Sequence, residues 1–166
     1  MTIDEYAEYR AEYFSFAFVR NPWDRLVSCY QYFKSGGRGF ITDIQAQEAL
    51  ADCDSFEQFA VDIEKYQARL SAFPAPEVSL PHMPHLLPQV FWTHDDQGRE
   101  VIDFIGRFER LEVDFGLIGK RLGIPGDLPH MNTTEHGEYR SYYTSRSRDA
   151  IANAYRDDVD RFGYDF

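Results

Sequence analysis

The chain has 166 residues, 43% hydrophobic and 16% aromatic, and its 17 basic and 28 acidic residues give a formal net charge of −11. This length and composition are typical of a folded globular domain and exclude a disordered chain. The acidic balance argues against nonspecific nucleic-acid binding, which needs a basic surface. No nucleic acid is therefore expected among the partners.

The first residues, MTIDEYAEYRAEY, predict a short helix over Ile3–Glu12. They are acidic and amphipathic, which is not the pattern of a signal peptide. No apolar run approaches the roughly 20 residues of a membrane span. The two cysteines, Cys29 and Cys53, lack metal-binding spacing and fit reduced thiols. Together these features predict a cytoplasmic location.

The stretch FAFVRNPWDRLVSCYQYF, residues 16–33, predicts a strand that runs directly into a helix. Phe14–Val19 is rich in large apolar residues and indicates a buried strand. Asn21 suits an N-cap and Pro22 the first helical position. Apolar residues then recur at helical spacing, and the glycine-rich KSGGRGF, residues 34–40, ends the helix.

Ser55 and Gln58 form a capping box that predicts the start of another helix. Its apolar face is formed by Phe56, Phe59, Ile63, Tyr66 and Leu70. A proline-rich loop over residues 74–88 follows, and Val90–Trp92 and Glu100–Phe108 are predicted strands.

The remaining chain predicts two helices, one ending at Gly123 and one over Ser145–Phe162 that ends at Gly163. The order of the elements predicts an α/β fold with a parallel sheet flanked by helices, in a single domain over residues 1–166.

Arg20 follows the first predicted strand, and Ser28 lies eight residues later on the helix. The carboxyl ends of strands in open α/β sheets are where ligands bind, and a guanidinium offers donors suited to phosphate. Spacing alone allows one phosphate to contact both side chains. It also allows Arg20 to pair with an acid such as Asp24 while Ser28 merely permits close helix packing.

The segment VRNPWDRLVSCYQYF closely resembles the 3′-phosphate-binding motif of sulfotransferases that use 3′-phosphoadenosine-5′-phosphosulfate (PAPS). It is most similar to the carbohydrate branch, Golgi-type and bacterial, with the pattern V-R-x-P-x-x-R-L-x-S-x-Y. The segment DFIGRFERLEVDFGLIGKRLGI, residues 103–124, and the final FGYDF resemble further stretches of the family. The resemblance covers residues 14–166.

This resemblance implies a sulfotransferase-like fold of the P-loop nucleoside-kinase type. It implies transfer of a sulfuryl group from PAPS to a hydroxyl or amine of a carbohydrate or small metabolite, with no metal. By the family motif, Arg20 and Ser28 hold the 3′-phosphate, whereas no catalytic residue is assigned. The family also allows association with a membrane.

The family's 5′-phosphosulfate loop, of the kind P-K-x-G-x-T/S, is expected upstream of the motif, and the 19 residues before Arg20 contain no match. The chain is therefore expected to be N-terminally shortened, with a sheet edge that favours a homodimer. The alternative is a non-catalytic nucleotide-binding or interaction domain of the same fold. A nucleotide kinase relative is a weaker third reading. KSGGRGF is either a substitute anion loop or a connector.

Four further residues are possible contacts to substrate or an anion. His85 and Gln89 lie in HLLPQVFW, which resembles a family stretch near the acceptor cleft. Arg140 and Arg146 lie around the start of the last predicted helix, where cations oppose the helix dipole. The alternative without a functional role is loop packing for His85 and Gln89, and solvated surface side chains for Arg140 and Arg146. His82 and His85 have a spacing that metals can use, but they lack an acidic or cysteine partner.

Overall fold

The structure is a computed structural model, and it describes residues 12–73, 85–125, 128 and 137–166. These residues form a two-stranded parallel sheet and eight α-helices. The fold is thus mixed α/β with a small parallel sheet, consistent with the α/β prediction. All of the predicted helix over Ile3–Glu12 except Glu12, and the residue His82, fall outside the described residues.

The chain divides into two compact units that are interleaved along the sequence. The first comprises Met1–Asn21 and Pro88–Thr133, and the second comprises Pro22–Leu87 and Thr134–Phe166. The single-domain assignment stays a prediction.

The first unit is built on strands β1 (Phe16–Val19) and β2 (Phe104–Arg107), which pair in parallel from Phe16 opposite Phe104 to Val19 opposite Arg107. The short helix α5 (Val90–Thr93) precedes β2, and α6 (Leu111–Leu122) follows it after a 3₁₀ turn that begins at Phe108. Gly123 ends α6 in the left-handed conformation, as predicted.

The described residues of the second unit form six α-helices. They are α1 (Pro22–Ser35), α2 (Ile41–Ala49), α3 (Phe56–Val61), α4 (Ile63–Ala72), α7 (Ser145–Ala154) and α8 (Arg156–Phe162). Their apolar faces meet in one core, in which Leu26, Phe59, Tyr66, Ile151 and Tyr155 are buried. The predicted apolar face of the Ser55 helix lies in this core.

Several predicted elements differ from the structure. Val90–Trp92 is a turn of helix, so the strand prediction is wrong; the amides of Phe91 and Trp92 bond the carbonyls of Pro88 and Gln89. The second strand is limited to residues 104–107. The first strand begins at Phe16, whose side chain is 42% exposed, so it is shorter and less buried than expected.

Two predicted continuous helices are each divided in two. The first is broken at Asp62 and the second at Tyr155, where the backbone leaves helical geometry for one residue. The apolar period continues across both breaks, which is why the sequence pattern does not reveal them. The predicted starts at Pro22 and Ser55 are confirmed, with the Ser55 hydroxyl accepting from the Gln58 amide at 3.2 Å.

Candidate functional site

Arg20 is the first residue after the carboxyl end of β1, as predicted. The register of the parallel pair separates partners by 88 positions, and this offset continues beyond the strands. Arg20 is therefore opposite Phe108, and its guanidinium carbon lies over the Phe108 ring, 4.4 Å from the centroid. A cation held by an aromatic face is not neutralised by that contact.

The backbone of Arg20 is fixed by the side chain of Gln89. The Arg20 amide donates to Gln89 Oε1, and Gln89 Nε2 donates to the Arg20 carbonyl, both at 2.8 Å. Gln89 is 8% exposed. The next residue, Asn21, donates its amide to Glu109 Oε1 at 2.6 Å. The backbone groups of Arg20 and Asn21 are thus hydrogen-bonded by the side chains of Gln89 and Glu109, which come much later in the sequence.

Two acids of FERLEVDF, Glu109 and Asp114, accept hydrogen bonds from the backbone of the first unit. Glu109 accepts the Asn21 amide, and Asp114 Oδ2 accepts the Arg107 amide at 2.7 Å. Arg110 also contacts the Asp114 carboxylate, at 3.2 Å. Both carboxylates thus accept backbone amides near the ends of the two strands.

Ser28 lies in the second turn of α1 and is half-buried. It belongs to the second unit, whereas Arg20 belongs to the first. A phosphate-binding site that uses both residues stays a prediction.

The second arginine of the motif, Arg25, is engaged within the second unit. It donates to the Leu87 carbonyl at 2.7 Å, and its guanidinium carbon lies 5.3 Å from the centroid of the Tyr155 ring. Tyr155 in turn donates its hydroxyl to the Leu86 carbonyl at 2.8 Å. Arg25 therefore attaches the segment before Gln89 to the helical core.

His85 lies against α1, with its ring centroid 5.8 Å from that of Phe33 and 6.4 Å from that of Tyr32. Its pKa is lowered, first by desolvation against these neighbours and then by the positive charge of Arg25. The imidazole is therefore neutral at pH 7 and able to accept a proton. Contact with a substrate stays a prediction for both His85 and Gln89.

Arg140 and Arg146 lie near the start of α7. Arg140 pairs with Glu138 at 3.0 Å and lies over the Tyr139 ring at 4.7 Å. Arg146 is exposed on the first turn of α7, whose N-cap is Thr144. An anion that binds Arg140 must compete with Glu138. Both residues stay predicted anion contacts.

The glycine-rich segment KSGGRGF wraps around a carboxylate of the chain itself. Asp43 Oδ2 accepts the amides of Arg38 and Phe40 at 2.8 and 3.1 Å, and Oδ1 accepts the Tyr32 hydroxyl at 3.0 Å. Desolvation and this hydrogen bond raise the pKa of Tyr32. The segment is a connector between α1 and α2 whose anion-binding amides serve Asp43.

Within the described part of the chain, no group of three or more His, Cys, Asp or Glu side chains is placed to hold a metal ion. In the same part, no helix has the length and apolar character needed to cross a membrane. Both cysteines are free thiols.

The sequence predicts Arg20 and Gln89 as separate site residues, and the two hydrogen bonds between them are found only in the structure. The contact of Phe108 with Arg20 is not predicted from the sequence. The signal that identifies Phe108 is the register of the parallel pair, which sequence periodicity does not contain.

Comparison with known proteins gives two findings. The family model described as "Sulfotransferase family" matches residues 1–165. The chain is also 25% identical, over 132 residues, to an uncharacterized protein of Archaeoglobus fulgidus, an alignment that covers 77% of this chain and 83% of that protein. No solved structure gives a significant match.

Proposed function

Because the chain belongs to the sulfotransferase family, we propose that it transfers a sulfuryl group from PAPS to a hydroxyl or amine of a carbohydrate or a small metabolite. The observation that carries the proposal is the family match over residues 1–165, which includes the whole of the motif VRNPWDRLVSCYQYF. The carbohydrate branch is proposed on the resemblance of this motif.

Arg20 and Ser28 are proposed to bind the 3′-phosphate of the nucleotide. The chemistry of Arg20 fits this role, because a guanidinium at the carboxyl end of a parallel strand presents charged donors where ligands bind α/β sheets. Its guanidinium carbon lies 4.4 Å from the centroid of the Phe108 ring. Ser28 adds a neutral hydroxyl donor from α1.

When bound, PAPS supplies the sulfuryl group that the acceptor oxygen or nitrogen receives. The residues of this chain are proposed to bind and orient the nucleotide, because transfers of this type depend largely on positioning and charge stabilisation. The proton of the acceptor needs a base, and no residue is assigned to that role. His85, Gln89, Arg140 and Arg146 are the candidates for contacts to acceptor or nucleotide.

The test is calorimetric titration with 3′-phosphoadenosine-5′-phosphate (PAP) on the wild type, Arg20→Ala and Ser28→Ala. Micromolar binding to the wild type is expected. A charge-assisted hydrogen bond contributes about 1.5–3 kcal/mol, so Arg20→Ala should weaken binding by roughly 10- to 150-fold. Ser28→Ala should weaken it by about 3- to 10-fold as a neutral donor. Arg99→Ala, which removes an exposed arginine paired with Asp95, is the control.

Transfer itself is tested by release of PAP from PAPS in the presence of hydroxyl and amine acceptors. Binding that requires Arg20, with no turnover on any acceptor, would favour the alternative of a non-catalytic nucleotide-binding domain. A folded wild type that binds neither PAPS nor PAP would refute the proposed function.

A further inference from the structure

We propose that Phe91 and Trp92, which together are called the aromatic corner, bind a saccharide unit that carries no acidic group. This inference rests on the proposed function, in which a carbohydrate is one of the two acceptor classes. It names the part of the first unit that binds such an acceptor and the kind of sugar that fits there.

The two rings of the aromatic corner lie next to each other on α5. Phe91 is 57% exposed and Trp92 is 38% exposed, and their ring centroids are 5.0 Å apart with an interplanar angle of 83°. Two nearly perpendicular rings therefore face solvent side by side. The other tryptophan, Trp23, is buried and donates its indole N–H to the Arg148 carbonyl at 3.0 Å, so it serves the core.

The backbone beneath the aromatic corner is held by hydrogen bonds. The amides of Phe91 and Trp92 donate to the carbonyls of Pro88 and Gln89 at 3.2 and 3.0 Å. The buried Thr93 hydroxyl also donates to the Gln89 carbonyl, at 3.2 Å. A surface that is ordered before its ligand arrives loses less entropy on binding.

The aromatic corner lies close to the proposed nucleotide contact. α5 begins directly after Gln89, whose side chain bonds the amide and the carbonyl of Arg20 at 2.8 Å. Phe91 and Trp92 follow Gln89 by two and three residues, which is less than one helical turn. All four residues belong to the first unit. An acceptor at the aromatic corner is thus bound near the end of β1.

The size of the aromatic corner favours a small ligand over a protein. An aromatic side chain offers roughly 150–250 Å² of surface, so the exposed parts of the two rings amount to about 200 Å². A standard protein–protein interface takes about 800 Å² from each partner. One or two sugar rings match the smaller area.

The chemistry of the aromatic corner suits a sugar. One face of a sugar ring presents C–H groups with a partial positive charge, and these pack on the negative face of an aromatic ring. Among the described residues, none accepts a hydrogen bond from the Trp92 indole N–H, so this donor is available to a sugar hydroxyl. Asp96 and Gln97, exposed on the turn after α5, add a carboxylate and an amide that can bind further hydroxyls.

The charges next to the aromatic corner disfavour an acidic sugar. Asp95 pairs with Arg99 at 2.7 Å, whereas Asp96 and Glu100 add two exposed carboxylates to the same turn. Like charges repel, and salt screens the repulsion at exposed sites. A neutral or amine-bearing sugar should therefore bind better than a uronic acid.

The experiment follows the two indole N–H signals by ¹H–¹⁵N NMR, assigned with the variant Trp92→Phe. The probes are three tetrasaccharides: cellotetraose, the glucosamine tetramer and tetragalacturonate. The Trp92 signal should move with the first two, and the Trp23 signal should stay in place. Cellotetraose is the decisive probe, because a neutral sugar is not attracted by the net charge of −11. Tetragalacturonate should bind about 3- to 10-fold more weakly than cellotetraose, and Asp96→Asn should narrow that difference.

Variants at exposed positions test the two rings without disturbing the core. Phe91→Ala and Trp92→Ala should each weaken cellotetraose binding by about 3- to 10-fold, measured on the backbone amide signals of residues 94–98. Phe40→Ala is the matched control, because Phe40 is 61% exposed in the second unit. It should leave the affinity unchanged.

The outcomes separate this inference from the proposed function. Failure of cellotetraose to move the Trp92 signal, or equal affinity in Trp92→Ala and Phe91→Ala, would overturn the saccharide site even in a chain that binds PAP. A Trp92 signal that moves with protein concentration alone would place a second copy on the aromatic corner and overturn it as well. Cellotetraose binding at the aromatic corner of a chain that binds neither PAP nor PAPS would refute the proposed function and leave the saccharide site in place.

Discussion

Replacing Asp43 by alanine should destabilise the second unit through the glycine-rich connector. Asp43 is 5% exposed, and its carboxylate accepts two backbone amides and the Tyr32 hydroxyl. Hydrogen bonds to a charged acceptor contribute about 1.5–3 kcal/mol each, but the two amides can rebind water when the carboxylate is removed. We therefore expect the free energy of unfolding to fall by about 2–4 kcal/mol.

Gly37 should be energetically coupled to Asp43. A Cβ at Gly37 would lie 2.5 Å from Asp43 Cγ, and Gly37 has a φ of +56°. The left-handed backbone alone costs a non-glycine residue about 1–2 kcal/mol, and the close contact adds to it. In Gly37→Ala/Asp43→Ala the contact is absent, so the double variant should be less destabilised than the sum of the single variants, by about 1–2 kcal/mol.

Urea denaturation of the four proteins measures this coupling, with midpoint and slope recorded for each. Gly39→Ala is the matched control, because Gly39 has a φ of +79° and no atom within 4 Å of an added Cβ. It should be destabilised by backbone strain and additive with Asp43→Ala to within about 0.5 kcal/mol. Additivity of Gly37→Ala with Asp43→Ala, or a loss below about 0.5 kcal/mol for Asp43→Ala, would refute the described geometry.

Two further predictions follow, one for each unit. In the sheet, a Cβ at Gly106 would lie 2.5 Å from a ring carbon of Phe18, so Gly106→Ala should lower the free energy of unfolding by about 1–3 kcal/mol. The control Gly116→Ala meets no atom within 4 Å and should be neutral or stabilising; equal effects in urea denaturation would contradict this. His85 should titrate by NMR below its ordinary pKa of about 6.5, and Arg25→Met should raise that value. In the wild type, the unfolded chain binds the His85 proton more tightly than the folded chain does. The free energy of unfolding should therefore fall as the pH drops below about 6.5. A measured His85 pKa at or above 6.5 would contradict its placement beside α1 and Arg25.

The sequence predicts the elements that carry local chemical signals. The start of α1 at Pro22, the cap at Ser55 and the stops at Gly123 and Gly163 are confirmed because each depends on the backbone preference of one residue. Val90–Trp92 carries no such signal: three apolar residues suit a strand or a turn of helix equally, and hydrogen bonds to the preceding loop decide between them.

The candidate site is predictable only in part for the same reason. Arg20 is found because a strand followed by Asn-Pro fixes its place at the end of β1. The contact of Phe108 with Arg20 depends on which residues of two distant strands are paired, and that register is set by tertiary contacts such as those of Ser15 with Asp103. Gln89 is selected by resemblance, but its contact with the Arg20 backbone is visible only in three dimensions.

The motif V-R-x-P-x-x-R-L-x-S combines two signals that evolution can separate. Arg25 and Leu26 serve the fold, the first through the Leu87 carbonyl and the second in the core, whereas Arg20 and Ser28 are the proposed ligand contacts. A descendant sequence could lose both ligand contacts and still keep the helix, its packing and most of its score against the motif. Genome searches that treat the pattern as one unit will therefore group binding and non-binding members, and sorting them by the positions of Arg20 and Ser28 should separate the two.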